Sequence, residues 1–565
     1  MRITYLGHAG LFVESREGTI LSDPWFNPAY FASWFPFPAN DGIDLERIAN
    51  PDFLYVSHLH RDHLDARFLT ERVSKDATVI LPAYPLPLLE DRLRGIGFHR
   101  FLHTRHLEPA RIGGMTLTVA SMVAPTDGPI GDSGLIVDDG EHRIFDQNDS
   151  RPIDLERIRG LGPFDAHFLQ FSGAIWYPFV YAYPAQMLDA LGRKKRANEM
   201  ARAQRYIEEF GARWVFPSAG PPCFLDDDLR HLNDVDRDPA NTFPDQSAFL
   251  DYLREHGHDN GLLAVPGTTI ELNGARPTLA HPVGEDQIAR IFEHKAEYLD
   301  AYRARWDGWL REEKASWPRH QVEIVPALKA WFEPLLERAD MTCAGVNGIV
   351  VLDFGDGAGV AIDFHRRAVE PWAGEDEWSG GEWDYYYRMD RAFVEHCILV
   401  HAEDWVNELF LSCRFEARRK GAYNEYVYNF FKCLSMERLQ YAEGYYAEQS
   451  PIDQFFEAEG YQIQRRCPHL KADLTKFGHI EDGVLTCDLH GWQFELATGR
   501  CLTSDDRRLF ARPVGSEVPG PAEPSRPPVP VDTAGAAVLT TCAHCWYNPQ
   551  KFPSRAIEEP EPLDD

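Results

Sequence analysis

Apolar and polar residues alternate in short runs through the first half of the chain: ITYLGHAGLFVE, TILSDPW, DFLYVS, ATVILPA, LTVAS, SGLIVDDG and HRIFD. A period of two marks strands with one buried face. The helical and turn-rich segments between them predict a layered α/β domain over 1–285. From 286 the period changes, and IARIFEHKAEYLDAYRARWDGWLREE mixes apolar and charged positions at helical spacing. VNGIVVLDFGDGAGVAIDF predicts a hairpin turning over 355–359, and a second helical region runs from 391 to about 446. These make a mostly helical α+β domain over 286–449. A compact β-rich segment follows over 450–512. Seven prolines then fall between Pro513 and Pro530, which predicts an extended linker and tail over 513–565.

Composition narrows the class. A chain of 565 residues exceeds one hydrophobic core and implies three or four units. At 44% hydrophobic and 12% aromatic residues, disorder is excluded as the general state. The net charge of −31 argues against nucleic acid as a partner. The basic run RKKRANEMARAQR, from Arg193 to Arg205, is the exception; it is expected to form the solvated face of a helix, with phosphate binding as the alternative. The N-terminus lacks the pattern of a signal peptide, and no apolar run approaches the roughly 20 residues that cross a bilayer. A cytoplasmic protein with no membrane contact is expected. Ten cysteines in such a chain do not make a secreted disulfide framework, so those in tight motifs read as metal ligands.

The segment CPHLKADLTKFGHIEDGVLTCDLHGW supplies four such ligands: Cys467, His469, Cys487 and His490. Two thiolates on one iron and two imidazoles on the other is the ligand set of a Rieske [2Fe–2S] cluster. A structural Cys₂His₂ zinc site is the alternative, but zinc fingers keep like ligands together, whereas each arm here carries one of each. The segment resembles Rieske domains of oxygenase and ferredoxin type. It lacks the additional cysteines of the respiratory-chain proteins, having Leu470 and Leu489 nearby, and Trp492 stands where those proteins place a hydroxyl near a cluster sulfur. Fewer hydrogen bonds to sulfur imply a potential low in the Rieske range.

Upstream, SHLHRDHLD follows a strand and carries His58, His60, Asp62 and His63. Three imidazoles and a carboxylate within six residues can face two adjacent metals, with His58 and His60 on one and Asp62 and His63 on the other. The order H-x-H-x-D-H resembles metallo-β-lactamase folds. The motifs ITYLGHAG, LSDPWF, VSHLHRDH and HRIFDQNDSRP resemble the CMP-N-acetylneuraminate hydroxylase family more closely, as do FSGAIWYPFVY, the RKKR helix, WVFPSAG, VPGTTIELNG and DWVNELFLSCRFEARRKGAYNEYVYNFF. The likeness extends over about residues 1–440. It implies a metallo-β-lactamase αββα sandwich followed by an α+β middle domain and a small all-β Rieske domain. It also implies Asp149 as the carboxylate bridging two metals, Asp146 as a weaker candidate for that place, and Asp23 as a support behind the ligands. Asp62 and Asp149 are then the candidate catalytic carboxylates.

Two departures change the expected chemistry. A histidine expected ahead of the DSG turn is missing, leaving Asp127 as the nearest ligand, and the late histidine of the hydrolases is replaced by Ser218 and Ala219. The site is therefore expected to be richer in carboxylate and poorer in imidazole than a hydrolytic dizinc centre, and oxygen ligands suit iron, one ion or two, at least as well as zinc. Zinc has no accessible redox change, so beside a Rieske cluster it would leave electrons without an acceptor. The combination implies a Rieske-coupled non-haem iron oxygenase, a hydroxylase or N-oxygenase, that activates O₂ on a polar small molecule. No G-x-G-x-x-G follows a strand, so a separate ferredoxin, cytochrome or reductase is expected as electron donor. The alternatives are a metal-dependent hydrolase with the Rieske domain as redox sensor, and an electron-transfer scaffold with a vestigial upstream site. His479 and Cys501 are assigned to packing, WDYYY to strand core, and Cys542 and Cys545 to a free pair in the tail.

Overall fold

The structure, a computed structural model, describes residues 1–122, 131–372, 382–447, 455–468, 472–488, 491–503 and 507–514. Two sheets make the first part of the chain. One has eight strands in the spatial order Thr278–Ala280, Thr269–Glu271, Arg2–Gly7, Gly10–Ser15, Gly18–Ser22, Phe53–Tyr55, Thr78–Leu81 and Arg100–His103. The other has six, Trp214–Ser218, Ala166–Gln170, Arg143–Asn148, Asp132–Asp138, Met115–Met122 and Ala110–Ile112. Alternate apolar residues of both pack face to face: Ile3, Leu11, Val13 and Ile20 meet Leu117, Val119, Leu135 and Phe168. Helices cover the outer faces, which gives the αββα sandwich read from the sequence.

The predicted hairpin forms, with Ile349–Asp353 antiparallel to Gly359–Asp363, inside a five-stranded sheet that also holds Ala368–Trp372, Tyr385–Met389 and Phe415–Arg419. The last strand interrupts the second helical region, because Phe415 and Ala417 alternate into the core opposite Met389 and Tyr387. Trp383, Tyr385, Tyr386 and Tyr387 are buried, as strand-core residues should be. The helix Lys295–Ser316 packs Leu299, Tyr302 and Leu310 against Phe35, Phe37, Cys223 and Leu225 of the sandwich.

The middle sheet does not stand apart from the sandwich. Trp25, Tyr30, Phe31, Trp34, Trp176 and Tyr181 of the first part belong to the same buried cluster as Leu328, Phe332, Trp405, Phe410 and Phe431. Residues 180–182 add a short parallel strand beside Ala417. The join contains a turn in which Tyr30, Phe31 and Ala32 all have positive φ, of 55°, 52° and 56°. Left-handed backbone costs roughly 1–2 kcal/mol per non-glycine residue. The guanidinium of Arg414 offsets that cost by donating to the carbonyls of Phe31 and Ala32 and to the hydroxyl of Ser33.

Two three-stranded sheets make the C-terminal part: Phe455–Ala458, Tyr461–Gln464 and Ala511–Pro513, then Gly478–Glu481, Val484–Cys487 and Trp492–Glu495. This part seats on the 26-residue helix Ala185–Phe210, with Tyr206, Ile207 and Phe210 sharing a core with Cys467, Phe477, Cys487 and Trp492. The basic run is solvated only at its start, where Arg193 and Lys194 are exposed; further along, Glu199 and Arg202 are buried and ion-paired, and Arg205 pairs with buried Asp488 at 2.5 Å. The proline-rich stretch beyond 514, with Cys542 and Cys545, lies outside the described residues.

Trp405 is fully buried between Phe332 and Phe431 at the centre of the shared core. Trp405→Ala is expected to cost roughly 3–5 kcal/mol, read as a lower urea midpoint; an unchanged midpoint would mean that this core does not hold the chain together.

Candidate metal centre

The candidate ligands sit where strands end. His8 follows Arg2–Gly7, Asp23 follows Gly18–Ser22, the histidine loop follows Phe53–Tyr55, and Asp149 follows Arg143–Asn148. Chain leaving the carboxyl ends of sheet strands is the usual place for a site in layered α/β folds. Three of these turns are left-handed at non-glycine residues: His8, Asp23 and Asn148 have φ of 52°, 40° and 47°. Such outliers persist only where the surroundings over-determine them. Asn148 is held by its own amide donating to the Ser133 carbonyl, and its Oδ1 accepts the Asp149 N–H, which aims Asp149 at the loop.

Two groups of ligand-type atoms result, each with members within 4.8 Å of one another: His58, His60 and Asp149, and beside it His8, Asp62 and His63. Asp149 faces both, 3.9 Å from His58 Nε2 and 3.5 Å from His63 Nε2. His58 and His60 fall in one group, and Asp62 and His63 in the other. His8 lies in the motif ITYLGHAG, and its Nε2 is 2.8 Å from Asp62 Oδ2. The sequence signal available for it was a histidine in a glycine-flanked turn between two strands. His8 adds a fourth histidine to the three of the loop, so that each group holds two histidines and one carboxylate. At the late-histidine position, Ala219 instead donates its N–H to the His8 carbonyl and holds that turn in place. Asp127 lies outside the described residues; Asp132 stands 3.5 Å from His58 Nδ1.

Partners behind the ligands set their ring orientation. Ser57 donates its hydroxyl to Asp23 Oδ2 at 2.7 Å and lies 2.9 Å from His58 Nδ1. Asp23 Oδ2 is also 2.9 Å from His63 Nδ1. Both Nδ1 atoms are thereby engaged, so both rings present Nε2 to the site, the arrangement of metal-bound histidines. Tyr30 donates to Asp62 Oδ1 at 2.5 Å.

Burial and the neighbouring histidine His63 keep His58 well below its ordinary pKa. Burial, aided by the Lys432 ammonium, lowers His60 to about 4. Both are neutral bases at pH 7, as ligation requires. Burial disfavours charge on His63, but Asp149, Asp23 and Asp62 outweigh it and raise its pKa well above the usual value. Burial likewise opposes ionisation of Asp149, yet His63 and His58 hold it well below the carboxylate range. Burial and Asp23 push Asp146 up to about 8, so it is a neutral acid bonded to Ser22 and a poor bridge beside ionised Asp149. The donor set fits a metal by a further measure: buried His60 Nε2, His63 Nε2 and Asp149 Oδ1 have no hydrogen-bond partner, a costly condition unless a cation meets them.

The middle domain closes one side. Asn407 donates to the Leu59 carbonyl at 2.9 Å and accepts the Arg61 N–H, and Glu408 binds both Arg61 and His396. In the C-terminal part, Cys467 and Cys487 are buried and form no disulfide, while His469 and His490 lie outside the described residues. Cys501 is buried as expected; His479 is not a packing residue, being half-exposed with Nδ1 2.6 Å from Asp488. Among the described residues no helix is long and apolar enough to cross a membrane.

Three family models match in series: a Beta-lactamase superfamily domain over 2–120, an Rv3818-like, SCP2-like domain over 324–448, and a Rieske [2Fe-2S] domain over 452–510. A protein of Mycolicibacterium smegmatis named as a Rieske 2Fe–2S iron–sulfur protein is 47% identical over 520 residues, covering 90% of this chain and 99% of the relative. One of Mycobacterium tuberculosis is 47% identical over 518 residues, with the same coverage. The cytidine monophosphate-N-acetylneuraminic acid hydroxylase of Pan troglodytes is 37% identical over 65 residues, 11% of each chain. Among solved structures, the diiron β-hydroxylase CmlA of Streptomyces venezuelae is 17% identical with a TM-score of 0.32, covering 50% of this chain and 54% of that one. With a metallo-β-lactamase domain first and a Rieske domain last, the chain belongs to the family of these mycobacterial Rieske 2Fe–2S iron–sulfur proteins.

Proposed function

We propose that this protein is a Rieske-coupled non-haem iron oxygenase, a hydroxylase or N-oxygenase of a polar small molecule, with electrons supplied by a separate donor. The observation that carries the reading is the pair of adjoining two-histidine, one-carboxylate groups in a sandwich that shares a buried core with the Rieske domain. That ligand ratio is the one used by oxygen-activating ferrous sites. A redox domain packed into the scaffold of the site, rather than tethered beside it, suits electron delivery within one chain.

His58, His60 and Asp149 would hold one ion and His8, Asp62 and His63 a second, with Asp149 set between them. Cys467, His469, Cys487 and His490 would hold the cluster. When bound, iron in the sandwich supplies reduction of O₂ and the cluster supplies single electrons. The chain's own part is positioning. Asp23 and Ser57 fix the rings of His58 and His63, Tyr30 orients Asp62, and Asn407 shields the loop from the side of the middle domain.

Replacing the support should loosen the metal without touching a ligand. Asp23→Ala is expected to lower metal affinity by roughly 10- to 100-fold, measured by competition with a chelator; unchanged affinity would remove Asp23 from that role. His8→Ala is expected to lower the metal bound per chain while His58 and His60 retain theirs, read by elemental analysis after dialysis. An unaltered stoichiometry would mean that His8 holds no ion.

The reading itself is tested by iron and zinc per chain from iron-replete culture, with an EPR spectrum after dithionite reduction. A Rieske signal together with iron beyond the cluster's two atoms is expected. Cluster iron alone, with zinc in the sandwich and activity in the absence of O₂, would instead establish a hydrolase carrying a redox sensor.

A further inference from the structure

The strand Phe415–Arg419 places Phe415, Ala417 and Arg419 on one face, and the first two are core residues. Arg419 therefore continues a core face with a guanidinium. Directly across the ladder lies Tyr385, and on the other side the segment through Tyr181 runs parallel. The guanidinium carbon lies 5.7, 5.4 and 5.8 Å from the ring centres of Tyr177, Tyr181 and Tyr423. Lys195, on the long basic helix, stands 6.0 Å from the Tyr177 ring.

Other buried or half-buried arginines nearby have carboxylates: Arg414 has Asp226, Arg391 has Glu395, Arg507 has Glu425, and Arg438 has Glu403 and Asp404. Arg419 has none among the described residues, and its Nε is buried without a hydrogen-bond partner. Tyrosine faces stabilise a guanidinium, and the Tyr177 and Tyr385 hydroxyls accept from it, but neither group neutralises its charge, and the N–H groups that remain, Nε among them, suit a planar or tetrahedral oxyanion.

The place is also the junction of all three parts of the chain. Tyr177 and Tyr181 come from the sandwich, Arg419 from the middle sheet, and Tyr423 meets Trp492 of the Rieske domain at 6.5 Å. Trp176 stacks on Tyr428 at 6.0 Å, and Tyr428 lies 5.6 Å from the ammonium of Lys432.

We infer that Arg419, ringed by Tyr177, Tyr181 and Tyr423, binds a carboxylate or phosphate group of the substrate. Identifying that anion as part of the substrate rests on the oxygenase reading; the existence of the anion site does not.

The full chain is titrated with sodium phosphate and, separately, sodium succinate at an ionic strength held constant with sodium chloride, and the thermal unfolding midpoint is followed. A saturable rise with at least one anion is expected, weakened roughly tenfold in Arg419→Met through loss of the charge-assisted fork. No saturable rise with either anion, or an equal response in Arg419→Met, overturns the inference. If Arg419→Met fails to fold, Arg419→Lys keeps the charge without the fork and is expected to bind several-fold more weakly; an undiminished response there overturns it as well. A response to phosphate alone assigns a phosphate ester, and to succinate alone a carboxylate. No turnover is measured, so a failure here leaves the iron and EPR result standing, and the converse holds.

Discussion

Asp23 is the fixed point of the site. Its carboxylate takes the Ser57 N–H on one oxygen, and on the other the Ser57 hydroxyl and the Nδ1 of His63. Three groups of the histidine loop are thus tied to one buried anion in the preceding turn, and the direction in which the imidazoles point follows from that tie. Burial of a carboxylate is tolerated only because every lone pair in use is met by a donor. Burial is the main cause that keeps Asp146 protonated, and Asp149 the main charge that raises His63; the Asp23 carboxylate adds to both shifts.

Around that point the chain is built as one body rather than three. The aromatic core begun by Trp25 and Trp34 is completed by residues nearly four hundred positions later, and the Rieske part borrows the apolar side of a sandwich helix. Buried carboxylates follow the same plan: Asp488, next to a candidate cluster cysteine, meets Arg205 of the helix, and Glu408 of the middle domain meets Arg61 of the histidine loop. Such pairs add little net stability when both partners are present, but removing one strands the other in a low dielectric. They therefore fix how the parts sit together more than they strengthen the whole.

Much of this was legible in the chain. Period-two patterning marked the sandwich strands because one face of each is buried, and H-x-H-x-D-H announced itself because the ligands of one loop are close in sequence. The grouping of Asp149 with that loop came from family likeness, and the structure brings it there through the left-handed Asn148. His8 was harder. Its partners Asp62 and His63 lie more than fifty residues away, and a lone histidine in a hairpin turn carries no spacing that binds it to them. The basic run misled for a related reason: charge on a helix reads as solvated unless the domain that covers it is known, and the covering domain arrives almost three hundred residues later. Arg419 was invisible for the opposite reason, since a basic strand end looks ordinary until the tyrosines from two other segments are placed around it.

The left-handed turn at Tyr30, Phe31 and Ala32 has a consequence for how the protein comes to be. Besides its own backbone bonds, it is secured by the guanidinium of Arg414, and Asn407, which grips the histidine loop, is almost as distant. Domains fold from the N-terminus as they leave the ribosome. A nascent chain that ends before the middle sheet therefore lacks the Arg414 contacts to this turn and the Asn407 contact to the histidine loop. The candidate metal loop is in this way completed by a residue made 348 positions after the carbonyl it binds.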